Sequence, residues 1–203
     1  MRRLQWIQRL QAIAQTGLTY ARDPYDLERY RELRALAVEM LAAEAGVPEE
    51  PLRLVFAAED GYPTPKVDVR AVVFREGKVL LTKERADGRW TLPGGWADVG
   101  SSPGEMAARE TLEETGYLVR PVKLLAVLDK AKHAHPPQPS YVYKLFIRCE
   151  LEGGAPQETL ETEGCDYFAR DALPPLSLDR VTEPQLLRMF AHLDDPERPT
   201  DFD

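Results

Sequence analysis

Little in this 203-residue chain is suited to soft-metal or disulfide chemistry, for it carries two cysteines and three histidines. Cys149 and Cys165 have neither a CxxC nor a zinc-type spacing, so both are expected to be reduced, structural thiols. Basic charge is also short. The 26 Lys and Arg stand against 34 Asp and Glu, giving a net charge of −8. That excludes a general nucleic-acid or anionic-membrane binder, which needs a broad basic face. Extended nucleic acid is therefore not an expected partner, although local cations can still hold a small anionic ligand. No apolar run approaches the ~18 residues of a membrane helix. The N-terminal stretch MRRLQWIQRLQ is amphipathic rather than signal-like. A soluble, cytoplasmic protein without membrane attachment is expected. Internal repeats are absent. What is present suffices for an ordinary core, with 43% hydrophobic and 30% charged residues, in one large domain or one domain plus an extension.

The first ~47 residues carry helical periodicity. Leu4, Ile7, Leu10 and Ala14 mark one helix, which Gly17 is expected to stop. Asp23-Pro24 reads as an N-cap followed by proline at the first helical position. Leu27, Tyr30, Leu33, Ala37, Met40 and Leu41 continue that second helix until Gly46 and Pro48 close it. Two helices this short cannot make a core alone, so they must pack on the remaining chain or on a second copy. From residue 52 the period changes to two: LRLVF, KVDVRAVVF and KVLLTKE read as strands, with REGK as a hairpin turn. Further strands are expected in VKLLAVLD, YVYKLFIRCEL and DYF, and a last helix over Glu183 to Leu193. The boundaries expected are a helical extension over 1–50, a main domain over 51–195 and a flexible acidic tail over 196–203.

The chemistry concentrates in RETLEETG, residues 109 to 116. Successive helical residues turn about 100°, so Glu110, Glu113 and Glu114 share a face. At an effective dielectric of ~20 and a spacing of ~6 Å, each such pair repels by roughly 2–3 kcal/mol, which is tolerable in a cleft only with a bound cation. Ser102-Pro103-Gly104-Glu105 is a capping box with proline at the first helical position, and Gly116 is a C-cap. A glycine-rich loop, GGWADVGS, therefore runs straight into a short acidic helix. Gly94 and Gly95 let backbone approach a ligand closely, and a carbonyl there can join the carboxylates. Oxygen-rich, histidine-poor ligation suits Mg²⁺ or Mn²⁺ rather than zinc.

Gly95, five residues, position 101, seven residues and then RETLEETGY closely resembles the Nudix hydrolase signature, Gly-x5-Glu-x7-Arg-Glu-U-x-Glu-Glu-x-Gly-U, with U aliphatic. The resemblance implies an α/β (α+β) fold, a Nudix-type α/β/α sandwich with a mixed sheet, here preceded by an N-terminal helical hairpin. It implies hydrolysis of a nucleoside diphosphate linked to a moiety X, with Mg²⁺ or Mn²⁺ as cofactor. By position, Glu110, Glu113 and Glu114 become metal ligands, with a carbonyl near Gly94 as a further one, and Arg109 orients the glutamates. The sequence departs from the signature at Ser101, where a glutamate partners the arginine in the family. Asp98 in the same loop is the candidate substitute, and a reduced metal number or affinity is expected. Thr111 and Tyr117 also replace aliphatic positions.

GLTYARDPYDLERYRELRALAVEML, TPKVDVRAVVF and KHAHPPQPSYVYKLFIRCELEGG extend the resemblance to a bacterial Nudix subgroup with a helical N-terminal extension. That subgroup implies CDP-choline or ADP-ribose pyrophosphatases that dimerise through the extension. Glu113, Glu114, Glu161 and Glu163 are the candidate general bases for the attacking water. Arg70, Trp96, Lys132, His133 and His135 are candidate substrate contacts, through phosphate charge or base stacking. Trp90 reads as core, and His192 as structural. The competing readings are an RNA-end-processing enzyme and a nucleotide-binding regulatory module weakened by Ser101.

Overall fold

The computed structural model describes residues 2–57, 59, 61–157, 159 and 162–203. It divides into two compact units, one of residues 1–65 with 137–141 and one of residues 66–136 with 142–203.

The first unit is helical. Helix α1 spans Arg2–Tyr20 and α2 spans Pro24–Ala45, the latter started by the Asp23 carboxylate accepting from the Tyr25 and Asp26 N–H groups and ended at Gly46. Gly17 does not stop α1 but lies inside it. A Cβ there would fall 2.3 Å from the Tyr30 ring of α2, so glycine serves close helix packing rather than termination. LRLVF, read as a strand, belongs to a third helix, α3 (Glu49–Ala57). Its apolar pair Leu52 and Phe56 lies one turn apart, and both bury against Ile7, Ala37, Val38 and Leu41, a spacing that helix satisfies and strand does not. The helical extension therefore reaches beyond residue 50. It also takes in the second half of the Pro-rich loop, where Gln8 Nε2 donates to the Gln138 carbonyl at 3.1 Å.

The second unit holds a mixed sheet. Its strands are β1 (Lys66–Arg75), β2 (Lys78–Glu84), β3 (Trp90–Thr91), β4 (Gly94–Trp96), β5 (Tyr117–Asp129), β6 (Val142–Gly154), β7 (Thr162–Phe168) and β8 (Asp201–Phe202). They run in the order β3-β2-β1-β6-β5-β8, with β4 also pairing β1 and β7 pairing β2. The β1–β2 turn is two residues, Glu76 and Gly77, with φ of 54° and 76°, the double positive φ of a tight hairpin. Helices α4 (Pro103–Thr115) and α5 (Glu183–Asp194) complete the unit.

Strand alternation separates two cores. Val69, Ala71 and Val73 of β1 meet Met106 and Ala107 of α4. Val72 meets Leu186, Met189 and Phe190 of α5, with Phe74 packed alongside. Trp90 stacks edge-on to Phe168 at 4.7 Å, as its core reading requires.

The tail expected to be flexible is laid along the sheet instead. β8 pairs in parallel with β5, Thr200 Oγ1 donates to the Leu124 carbonyl at 2.8 Å, and Asp201 accepts from buried His192 at 3.2 Å. Backbone pairing and charge hold a segment that has few apolar residues, which is why periodicity does not reveal it. Among the described residues no helix is long and apolar enough to cross a membrane.

Gly17→Leu is expected to destabilise the helical unit by about 1–3 kcal/mol through overpacking against Tyr30, despite leucine's better helix propensity. Urea denaturation followed by circular dichroism measures this.

Candidate active site

The acidic helix is built as its sequence dictates. Ser102 Oγ accepts from the Glu105 N–H at 3.3 Å while Glu105 Oε2 accepts from the Ser102 N–H at 2.8 Å. Gly116, at φ 80°, ends the helix in the left-handed conformation. The glycine-rich loop is pinned to the sheet on one side and to the helix on the other. Gly94 has φ 137°, and a Cβ there would meet the Val69 carbonyl oxygen at 2.0 Å, so no other residue fits. From this position the Gly94 N–H donates to Glu114 Oε2 at 3.1 Å. A Cβ on the neighbouring Gly95 would stand 3.4 Å from Glu110 Oε2. The two glycines thus bring backbone up to two of the three carboxylates.

Those carboxylates differ in environment. Glu114 is buried at 5% exposure. Burial pushes its carboxyl up to about 8, against the opposing pull of Arg70 and the Gly94 N–H. The Glu110 side chain is mostly buried and Glu113 is exposed, and each has an oxygen 4.0 Å from the Arg109 guanidinium. Arg109 itself donates to Asp98 Oδ2 at 2.5 Å. Among the described residues, no three His, Cys, Asp or Glu side chains gather closely enough to hold one ion in this arrangement. The donor chemistry nevertheless suits a hard cation. The groups at hand are carboxylates beside the glycine-loop backbone, and among the described residues Arg70 is the charge that balances the buried Glu114; it also faces Glu84 and Glu110.

The other expected residues are distributed unevenly. Arg70 is buried, with Nε on Asp68 Oδ1 at 2.9 Å and Nη1 on the Leu92 carbonyl at 3.0 Å. Burial lowers its basicity while Glu114, Glu84 and Glu110 counter the effect. Its hydrogen bonds are internal, and it lies close enough to Glu114, Glu84 and Glu110 to interact with their charge. Trp96, at the end of β4, is exposed. Lys132 is exposed in a short 3-10 turn. His133 Nε2 meets the Asp203 carboxylate at 3.0 Å. His135 Nδ1 donates to the Leu178 carbonyl at 2.6 Å. Glu163 pairs with Lys83 at 2.7 Å, and the hydrogen bond from Lys83 holds its carboxyl below the usual range. Glu161 lies outside the described residues.

Sequence reasoning passed over a buried charge web beside Arg70. Asp68 on β1 bridges Arg70 to Lys144 on β6, directly across in register. Glu84 at the end of β2 accepts from Arg180 at 3.0 Å. Asp68 and Lys144 were visible in principle, because each interrupts an apolar strand at the inward-facing parity of Val72 and Phe146.

Comparison with known proteins follows the division seen in the fold. Residues 2–56 match the family model described as a UDP-X-like, N-terminal oligomerisation domain. Residues 64–190 match that of the NUDIX domain. A Bacillus subtilis relative named "Putative ADP-ribose pyrophosphatase YjhB" is 46% identical over 200 residues, covering 98% of this chain and 96% of its own. The crystal structure of an ADP-ribose pyrophosphatase from Streptococcus suis is 41% identical with a TM-score of 0.64, across 69% of this chain and all of that one. The crystal structure of a UDP-X diphosphatase is 35% identical with a TM-score of 0.65, across 100% of this chain and 98% of that one.

Glu114 makes stability depend on pH in a definite direction. Its folded value, about 8, lies above the ordinary 4.5. The contribution is therefore fully present below 4.5, and is lost as pH rises through 8. In EDTA, Glu114→Gln is expected to flatten the loss of stability between pH 4.5 and 8, which thermal melts at stepped pH will read.

Proposed function

The chain belongs to the Nudix hydrolase family, and from that premise we propose a divalent-metal-dependent pyrophosphohydrolase that cleaves a nucleoside diphosphate joined to a second moiety. The carrying observation is the glycine loop that delivers backbone to Glu114 and Glu110 in the C-terminal half of a capped acidic helix. In this reading Glu110, Glu114 and the Gly94 carbonyl hold Mg²⁺ or Mn²⁺. The cation, when bound, supplies charge for the pyrophosphate oxygens and acidity for a water.

The remaining work falls to the chain itself. The oxygen of a water attacks one phosphorus, the bridging P–O bond breaks, and a nucleoside monophosphate leaves with phosphorylated X. The proton lost by that water needs a carboxylate. Glu163 is engaged by Lys83 and Glu114 is buried, so the accessible Glu113 is assigned the role. Arg109 orients the outer glutamates. Trp96 offers an exposed ring for a base, and Lys132 an exposed ammonium for phosphate. The buried Arg70 balances carboxylate charge rather than meeting the substrate face to face.

ADP-ribose ranks ahead of CDP-choline as substrate, because two relatives, 46% and 41% identical, carry ADP-ribose in their names. Substrate choice in one fold depends on its loops, however, so both belong in the test. The acidic balance disfavours long RNA. We further propose a homodimer through the N-terminal helices. The domain description of residues 2–56 supports it, and so does α1, where Trp6, Ile13 and Tyr20 recur every seven residues and stay 53%, 52% and 64% exposed.

A panel of nucleoside diphosphate derivatives assayed with Mg²⁺ or Mn²⁺ tests the reaction. ADP-ribose should give a nucleoside monophosphate, and Glu114→Gln should lower the rate by at least ~10²-fold. Turnover of no compound, or an unimpaired Glu114→Gln, would sink the proposal. Light scattering at micromolar concentration tests the assembly: the wild type is expected as a dimer, and Ile13→Glu with Tyr20→Glu as a monomer.

A further inference from the structure

The short turn after β5 is tied down from outside. Lys130–Lys132 form a single 3-10 turn, closed by the His133 N–H donating to the Lys130 carbonyl at 3.2 Å. A turn with one such bond has little stability of its own. Asp129 Oδ1 caps it by accepting from the Ala131 N–H at 3.0 Å. Asp203 then clasps both ends at once. Its Oδ2 accepts from the Asp129 N–H at 2.8 Å and lies 3.0 Å from His133 Nε2. The side chains of His133 and Asp203 are only 14% and 18% exposed, so water does little to weaken the contact. The clasp is itself anchored, because β8 pairs with β5 and Asp201 accepts from buried His192 and from Arg198.

Register puts this turn at the end of the sheet that carries the glycine loop. Trp96, Asp68, Lys144 and Leu128 lie in one line across β4, β1, β6 and β5. Lys130 follows Leu128 by two residues, and Arg70 is close enough to act on its charge, as it also acts on Glu114.

We propose that Asp203 is a positioning residue for substrate binding, holding the 130–132 turn so that Lys132 meets a substrate phosphate. The inference rests on the reading of Lys132 as a phosphate contact. A lysine is a point charge on a flexible stem, so what the fold can set is the backbone from which it springs. If that backbone sways, substrate binding must order it, and affinity falls. Asp203 does the ordering in the free protein. A carboxylate this close to a phosphate site would by itself oppose an anion. The direction of the change in KM therefore separates a clasp from a bare charge.

Steady-state hydrolysis of ADP-ribose and CDP-choline by the full chain tests this on the wild type, Asp203→Ala, Asp203→Asn, Lys132→Ala and the double alanine variant. Asp203→Ala is expected to raise KM about fivefold, the scale of one hydrogen bond, with kcat within about twofold of wild type. Asp203→Asn keeps an acceptor oxygen and should recover most of that loss. Lys132→Ala should raise KM about tenfold. Adding Asp203→Ala to it should change KM little further, because the two residues act as one unit. An unchanged or lowered KM in Asp203→Ala, a loss that Asp203→Asn fails to recover, or full additivity with Lys132→Ala overturns the inference while leaving the hydrolase reading intact. A wild type that hydrolyses neither compound overturns both.

Discussion

Glu114 is a carboxylate taken out of water, and its neighbours are arranged around the cost. Burying an ionised carboxylate without compensation is prohibitive, so such a group either takes a proton or acquires a partner. Here the partners are the Gly94 N–H at 3.1 Å and the Arg70 charge. They leave the carboxyl at about 8, so near neutral pH it holds a proton that a bound cation would displace. Gly94 can occupy its place only because it lacks a Cβ against the Val69 carbonyl. Arg70 is held by Asp68, and Asp68 also meets Lys144. The Gly94 backbone and the Arg70 charge, one from the loop and one from the sheet, meet at this one buried carboxylate.

The sheet makes this possible by keeping two chemistries apart. One parity of β1 fills the core under α4, and the other begins with Asp68 and Arg70 before turning apolar at Val72. Charges sit at the entry end of the strand, and packing occupies the rest. The α4 capping box fixes where the acidic face starts, so the carboxylates meet the loop at a set height.

Much of this was legible in the sequence where local rules act alone. The capping box, the Gly116 stop and the REGK turn depend on short-range geometry, and each lies where its residues place it. Signals that depend on partners were misread. Leu52 and Phe56 in a five-residue apolar run fit either period, and only the α1–α2 core decides for helix. Gly17 resembles a stop until Tyr30 is set over it. The 196–203 segment has little to bury, yet an open edge of β5 receives it. His133 and His135 look like ligand-seeking residues, whereas their ring nitrogens meet Asp203 and the Leu178 carbonyl. Asp98 could be named from the sequence as a substitute for position 101. Its hold on Arg109, with both glutamates left at 4.0 Å, depends on the fold of the loop.

The claim on which the rest turns is that the acidic face of α4 and the Gly94 backbone form a hard-cation site. Anomalous diffraction from crystals of the full chain grown with Mn²⁺ tests it most directly. The account predicts an anomalous peak ligated by Glu110 and Glu114 beside Gly94. Density elsewhere, or none there at saturating Mn²⁺, would contradict it.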